Sequence, residues 1–137
     1  MVQGYRLPYP DQSGRKIRVV LASAAIDHHW LNPGERYDRA LCRAEDVLNL
    51  RNRKDVILAF YPLRKPFAHR ALGRAGFTWS DRRRMGCWNH KIAELDVTHL
   101  IGMHHMWEHY YSCPGIAQAI VPYLYGFETG KLSKTDP

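Results

Sequence analysis

Three segments concentrate side chains that can do chemistry: Ser23-Ala24-Ala25-Ile26-Asp27-His28-His29-Trp30, the stretch from Tyr61 to Arg70, and the stretch from His104 to Gly115. Each follows or ends a short apolar run, and each mixes His with carboxylate, Arg or aromatic residues. Guanidinium and ammonium groups suit phosphate, whereas aromatic faces and hydroxyls suit a base or a sugar, so the mixture has the composition of a nucleotide pocket. In the third segment Ser112-Cys113-Pro114-Gly115 opens a helix that continues Ile116-Ala117-Gln118-Ala119. Ser112 and Gly115 at that helix start either aim free backbone N–H groups at an anion or simply cap the helix.

Other chemistries compete for the same residues. His105-Met106-Trp107-Glu108-His109 matches the H-x-x-E-H string of a class of zinc proteases, and with His104 and Cys113 it offers the three or four N or S ligands that zinc takes. That string works from a long helix, whereas this one follows an apolar run and carries Trp107, Tyr110 and Tyr111, which reads as a loop. His28 and His29, adjacent on an extended chain, point to opposite sides and read as a pocket wall or solvated loop. His99 reads as a hydrogen-bonded core histidine and Cys42 as a buried inert thiol. No metal and no cofactor is expected. Arg82-Arg83-Arg84, with Arg64, Lys65, Arg70 and Arg74, makes residues 64–84 strongly basic, and Phe67, His69, Phe77 and Trp79 give it the look of a nucleic-acid surface. Three arginines in a first helical turn oppose the helix dipole, a cost that an anionic partner would offset. Neither a G-x-G-x-x-G nor a Walker lysine string is present, which argues against a dinucleotide dehydrogenase and a P-loop NTPase.

The elements that must position these residues are short. Near-continuous apolar runs bounded by turn signals predict buried strands of a parallel sheet at Ile17–Ser23, Asp55–Tyr61 and Asp96–Met103, with a weaker one at Tyr123–Phe127. Asn32-Pro33-Gly34-Glu35 has the cap, first-turn proline and acid of a helix start. Tyr37, Ala40, Leu41, Ala44, Val47 and Leu48 then fall on one helical face, with Glu35–Arg39 a favourable i,i+4 pair. A second helix is expected from a Ser80 cap, with Met85, Trp88, Ile92 and Leu95 on one face. The third runs from Ser112 to Val121-Pro122. Alternation of this kind predicts a small three-layer α/β sandwich with a mainly parallel sheet of four to five strands. Ligands of such sheets bind at the carboxyl ends of the strands, where strand order reverses.

The chain has 137 residues, enough for one domain with its own core. Residues 1–15 read as an irregular lead-in, 16–127 as the α/β domain and 128–137 as a polar tail. The 45% hydrophobic and 24% charged composition argues against disorder of the body. The absence of long apolar stretches predicts no membrane partner, and the absence of an apolar stretch near Met1 predicts no secretory signal. Three cysteines without C-x-x-C spacing read as reduced thiols, so a cytoplasmic location is expected. A net charge of +7 favours an anionic partner.

The order of features resembles the nucleoside 2-deoxyribosyltransferase-like family, which includes nucleotide N-glycosidases. The resemblance covers roughly residues 17–127. It rests on an opening strand, an Arg-bearing helix (Glu35-Arg36-Tyr37-Asp38-Arg39-Ala40), and a strand ending in Pro with a following His (Phe60-Tyr61-Pro62 and His69). A Trp-bearing helix (Trp88), an Asp-initiated strand (Asp96-Val97-Thr98) and a Trp, Ser, Gly segment (Trp107, Ser112, Gly115) complete it. It implies a deoxyribosyltransferase-like fold, a nucleotide or nucleoside-phosphate ligand, hydrolysis or exchange of an N-glycosidic bond, and a homo-oligomer. On that reading Arg36 and the Ser112/Gly115 helix start hold phosphate, Trp30, Tyr61 and Trp107 flank base or sugar, and Ser23, His69 and Gln118 complete the pocket. Family enzymes carry a nucleophilic Glu in the last helix; Gln118 or Ala119 stands there here, and an amide neither ionises nor attacks usefully. Catalysis then falls to Glu108 or Asp27. The alternatives are a nucleotide-sequestering or sensing protein that does not cleave, and a basic adaptor for nucleic acid or an acidic protein.

Overall fold

The computed structural model describes residues 17–64 and 67–125. The lead-in, the tail, Lys65 and the Gly126–Phe127 end of the weakest expected strand lie outside these. Three strands, β1 (Ile17–Ala22), β2 (Ala44–Arg51) and β3 (Ile92–Asp96), form one sheet in the order β1-β2-β3, with both pairings parallel. The helices are α1 (Asp38–Arg43), α2 (Val56–Ala59), α3 (Leu72–Ala75), α4 (Trp79–Met85), α5 (Thr98–Ile101), α6 (Trp107–Tyr111) and α7 (Pro114–Tyr125), with tighter 3-10 turns at Tyr61–Arg64 and Gly86–Lys91.

Strand pleating divides the apolar side chains between two cores. On one face Val19, Leu21, Val47 and Ile92 pack with Leu31, Leu41, Leu72, Phe77 and Met85. On the other Val20, Leu48, Leu50, Ala93 and Leu95 pack with Val97, Ile101, Tyr110 and Ile116. Residues of both connections, β1 to β2 and β2 to β3, lie on the Val47 face, as two crossovers of the same hand require when strand order advances in one direction. The C-terminal helices α5–α7 supply the cover for the opposite face. β2 is central, and Ala44, Val47, Leu48, Asn49 and Leu50 are all buried.

The α/β class and the parallel sheet stand, but several expected elements do not. The described residues contain three strands, not four or five, and their order never reverses, so they hold no switch point. The helix expected over residues 35–48 is confined to Asp38–Arg43, and Ala44 to Leu48 belong to β2. Glu35 precedes the helix and pairs with Arg84 at 3.0 Å instead of with Arg39. The run after Asp55 is α2, not a strand, because the Asp55 side chain accepts from Leu58 N and caps a helix. β3 ends at Asp96, where a strand was expected to begin; Asp96 accepts from Thr98 N and turns the chain into α5. Tyr123–Tyr125 is the last turn of α7. Leu95 sits across the sheet from Met85 and Ile92, since β3 alternates where a helix would not. His99 and Cys42 are exposed, the former on α5 rather than inside a strand.

Candidate functional site

The chemistry-bearing residues gather where β1 and β2 end. Ser23 leaves β1 in the left-handed region (φ 48°). The chain then runs beside residues 70–73, held by Gly73 N to Ala24 O (3.0 Å), Leu72 N to Ile26 O (2.8 Å) and His28 N to Arg70 O (3.1 Å). Asn52, just past β2, donates to Gly73 O at 2.8 Å and ties the same segment to the second strand. Gly73 makes the approach possible: a Cβ there would lie 2.4 Å from Ala24 N.

This ladder brings His28 and His29 to His69. Residues 28–30 form a turn rather than an extended chain, so the two adjacent rings do not diverge. Ring centroids are 5.3 Å apart for His28–His29, 5.7 Å for His28–His69 and 4.4 Å for His29–His69. One ring nitrogen from each lies within 4.8 Å of the others. His28 Nδ1–H donates to the buried Asp81 carboxylate at 2.7 Å. Burial first, and then the neighbouring His69, hold His29 below the ordinary imidazole range, with Glu35 acting in the opposite sense.

Asp81 is the anchor of this group. Its helix α4 starts from a Thr78 cap, not the expected Ser80, in a reciprocal capping box with Asp81. The carboxylate also accepts from Asn32 Nδ2 at 2.8 Å and Thr78 Oγ1 at 2.7 Å. Burial pushes its pKa up, but hydrogen bonds from Thr78, Asn32 and His28 outweigh it, leaving the group below the usual carboxylate range. Asn32, expected to cap the first helix, is instead fully buried here. Asp27 is buried too, with Oδ1 unpartnered among the described residues. Burial and then the hydrogen bond to Asp27 push the Tyr61 hydroxyl up to about 12.

Two adjoining cavities open beside this group. One of about 520 Å³ is lined by His28, His69, Arg70 and Thr78 among others. A second of about 380 Å³ is walled by Arg53, Arg70 and Arg74, and the two share Pro62, Arg70 and Ala75. Arg53 is held by Asp96 at 2.9 Å, whereas the Arg70 and Arg74 guanidinium groups make no ion pair among the described residues.

The remaining expected residues separate from this group. Trp30 meets Tyr37 edge to face, with the exposed Arg36 stacked over its ring at 4.8 Å. Ser23 Oγ donates to His105 O at 2.7 Å, and His105 Nδ1 meets the fully buried Asp55 at 2.8 Å. Glu108 is exposed on α6, Trp107 is exposed against Tyr111, and Gln118 is exposed on α7. Ser112 donates to Glu108 O and so closes α6 rather than capping α7. Gly115 contributes no cradle, since Leu100 lies 3.3 Å from where its Cβ would be. The H-x-x-E-H string splits: His109 stacks on His104 at 4.1 Å while His105 faces Asp55.

The arginine triplet needs no external anion. It occupies the last turn of α4, where the helix dipole favours cations, not the first. Arg82 binds Glu94 and Asn89, each at 3.0 Å, Arg83 stacks on Trp79 and Arg84 binds Glu35. Sequence reasoning missed the three-histidine convergence and Asp81; the readable signal was the Thr78/Asp81 capping-box spacing. Among the described residues no helix is long and apolar enough to cross a membrane. Compared with known proteins, the chain matches no family model, no curated protein and no solved structure.

Proposed function

We propose that the protein binds a nucleotide or nucleoside phosphate in the adjoining cavities beyond the ends of β1 and β2, with Arg70 and Arg74 on the phosphate. The observation that carries this reading is the arginine-walled cavity: two exposed guanidinium groups without acid partners among the described residues line one concave space, and Arg70 also lines the adjoining cavity with His28 and His69. Guanidinium groups bind phosphate through charge-assisted, often bidentate hydrogen bonds. Each cavity's volume falls in the range of small-ligand sites. Arg36 and the Ser112/Gly115 helix start are not part of this version of the pocket.

A second reading, cleavage of the N-glycosidic bond, is favoured by Asp27. Of the two buried carboxylates of the group it is the one with an oxygen unpartnered among the described residues, whereas Glu108 faces solvent. The homo-oligomeric state implied by the family resemblance belongs to the same proposal, and the exposed Met103, Met106, Trp107 and Tyr111 offer apolar surface for it.

Titration with a panel of nucleosides and their monophosphates tests the reading. Monophosphates are expected to bind and nucleosides to bind at least about 10-fold more weakly, since charged hydrogen bonds contribute about 1.5–3 kcal/mol. Arg70→Ala with Arg74→Ala should abolish that preference, while Arg83→Ala should not. Equal affinity for both ligand types, or loss of binding only on changing residues 82–84, would overturn the phosphate site. Affinity confined to nucleic acid and falling steeply with salt would mark a basic adaptor instead. Following the anomeric protons by NMR decides between cleavage and binding alone, and light scattering decides the oligomeric state.

A further inference from the structure

We propose that His28, His29 and His69 form a binding site for a divalent transition metal of the zinc class. Three imidazoles from two separate segments converge, with one nitrogen from each within 4.8 Å of the others. Tetrahedral ligation at about 2.0–2.1 Å places ligand nitrogens about 3.3 Å apart. Closing the set therefore takes a movement of roughly 1.5 Å, within the reach of side-chain torsions on two loop segments.

The surroundings are those of a ligand set rather than of a chance cluster. Metal-bound histidines commonly donate their other ring N–H to a carboxylate, which fixes tautomer and ring orientation. The buried Asp81 carboxylate takes that place on His28 Nδ1, leaving Nε2 for a metal, and Asp81 is itself immobilised by Thr78 and Asn32. Two buried carboxylates, Asp27 and Asp81, flank the trio and complement an added positive charge. Neutral imidazoles without a thiolate select zinc, copper, nickel or iron over calcium or magnesium. The free thiols Cys42 and Cys87 are not in the set.

Three protein ligands leave a coordination position, and the cavity lined by His28 and His69 gives it an outlet. A water or a ligand oxygen fills such a position, where the metal acts as a Lewis acid. The site stands on the histidine geometry alone and does not depend on the nucleotide reading.

The test uses full-length, untagged protein stripped with a chelator and titrated with Co²⁺ without nucleotide. The expected result is a visible absorption of low-symmetry Co²⁺ that saturates at one equivalent and is displaced by Zn²⁺. His29→Gln and His69→Gln should each weaken binding at least about 100-fold. His104→Gln with His109→Gln should leave binding unchanged, which separates this site from the stacked pair formed by His104 and His109 of α6. His69 is exposed, so its variant keeps the fold and decides the matter if His29→Gln does not fold by circular dichroism. No saturable binding by the native protein overturns the proposal. So does binding that survives His69→Gln, or that disappears with the His104/His109 pair.

Discussion

Gly73→Ala is expected to lower stability by about 2–4 kcal/mol, the range for forcing atoms into a filled space. The added methyl would sit 2.4 Å from Ala24 N and 2.9 Å from the Ser23 carbonyl carbon, both backbone atoms that cannot rotate away. Relief requires separating residues 24–28 from 70–73, which breaks the hydrogen bonds joining them and moves His28 away from His69. Gly34→Ala is the control: nothing lies within 4 Å of its Cβ, and its φ of 82° carries only the left-handed cost of about 1–2 kcal/mol. Thermal melts should place Gly73→Ala about 10 °C below the native chain and clearly below the control. Equal melting of the two variants would mean that the close approach is absent in solution.

Asp81→Ala should cost about 3–5 kcal/mol, the range for removing one partner from a buried charged network. The loss strands the Asn32 amide and His28 N–H in the interior and removes the α4 cap. Its pH dependence has a definite sign. The folded carboxyl titrates below its ordinary value, so the stabilisation is fully present above the unfolded pKa of about 3.9 and is lost as pH falls through the folded pKa. Urea denaturation at neutral pH should show the full deficit, and the gap between native and variant should narrow below about pH 4. A gap independent of pH would show that Asp81 contributes packing rather than charge.

Some of this architecture can be read from residue order and some cannot. Val19-Val20-Leu21 announces β1 because an apolar run bordered by polar residues has one economical use in a parallel sheet. β2 hid because its residues are buried on both sides, so Ala44, Val47 and Leu48 fit a helical spacing as well as a strand. Asp55 and Asp96 misled in the same way: each precedes an apolar run, yet a carboxylate there caps the next turn and starts a helix. The candidate site was legible only as composition: Asp27, Tyr61 and His69 stand out by residue type. Its geometry was not, because the alignment of residues 24–28 with 70–73 depends on a glycine contact far away in sequence. The arginine triplet was misplaced for a local reason: Thr78, not Ser80, begins α4, and the shift moves three charges towards the other end of the dipole.

The bonds from His28 N, Asn52 N, Leu72 N and Gly73 N link the exits of β1 and β2 through one segment of the second crossover. Three of these bonds join the first connection to the second, and the fourth, from Asn52 N to Gly73 O, closes the second connection on itself beside the end of β2. The four amides therefore belong to one cooperative opening unit, and their hydrogen-exchange rates should rise together under mild denaturant. The histidine cluster needs that unit closed, so it is assembled only where both crossovers are docked on each other.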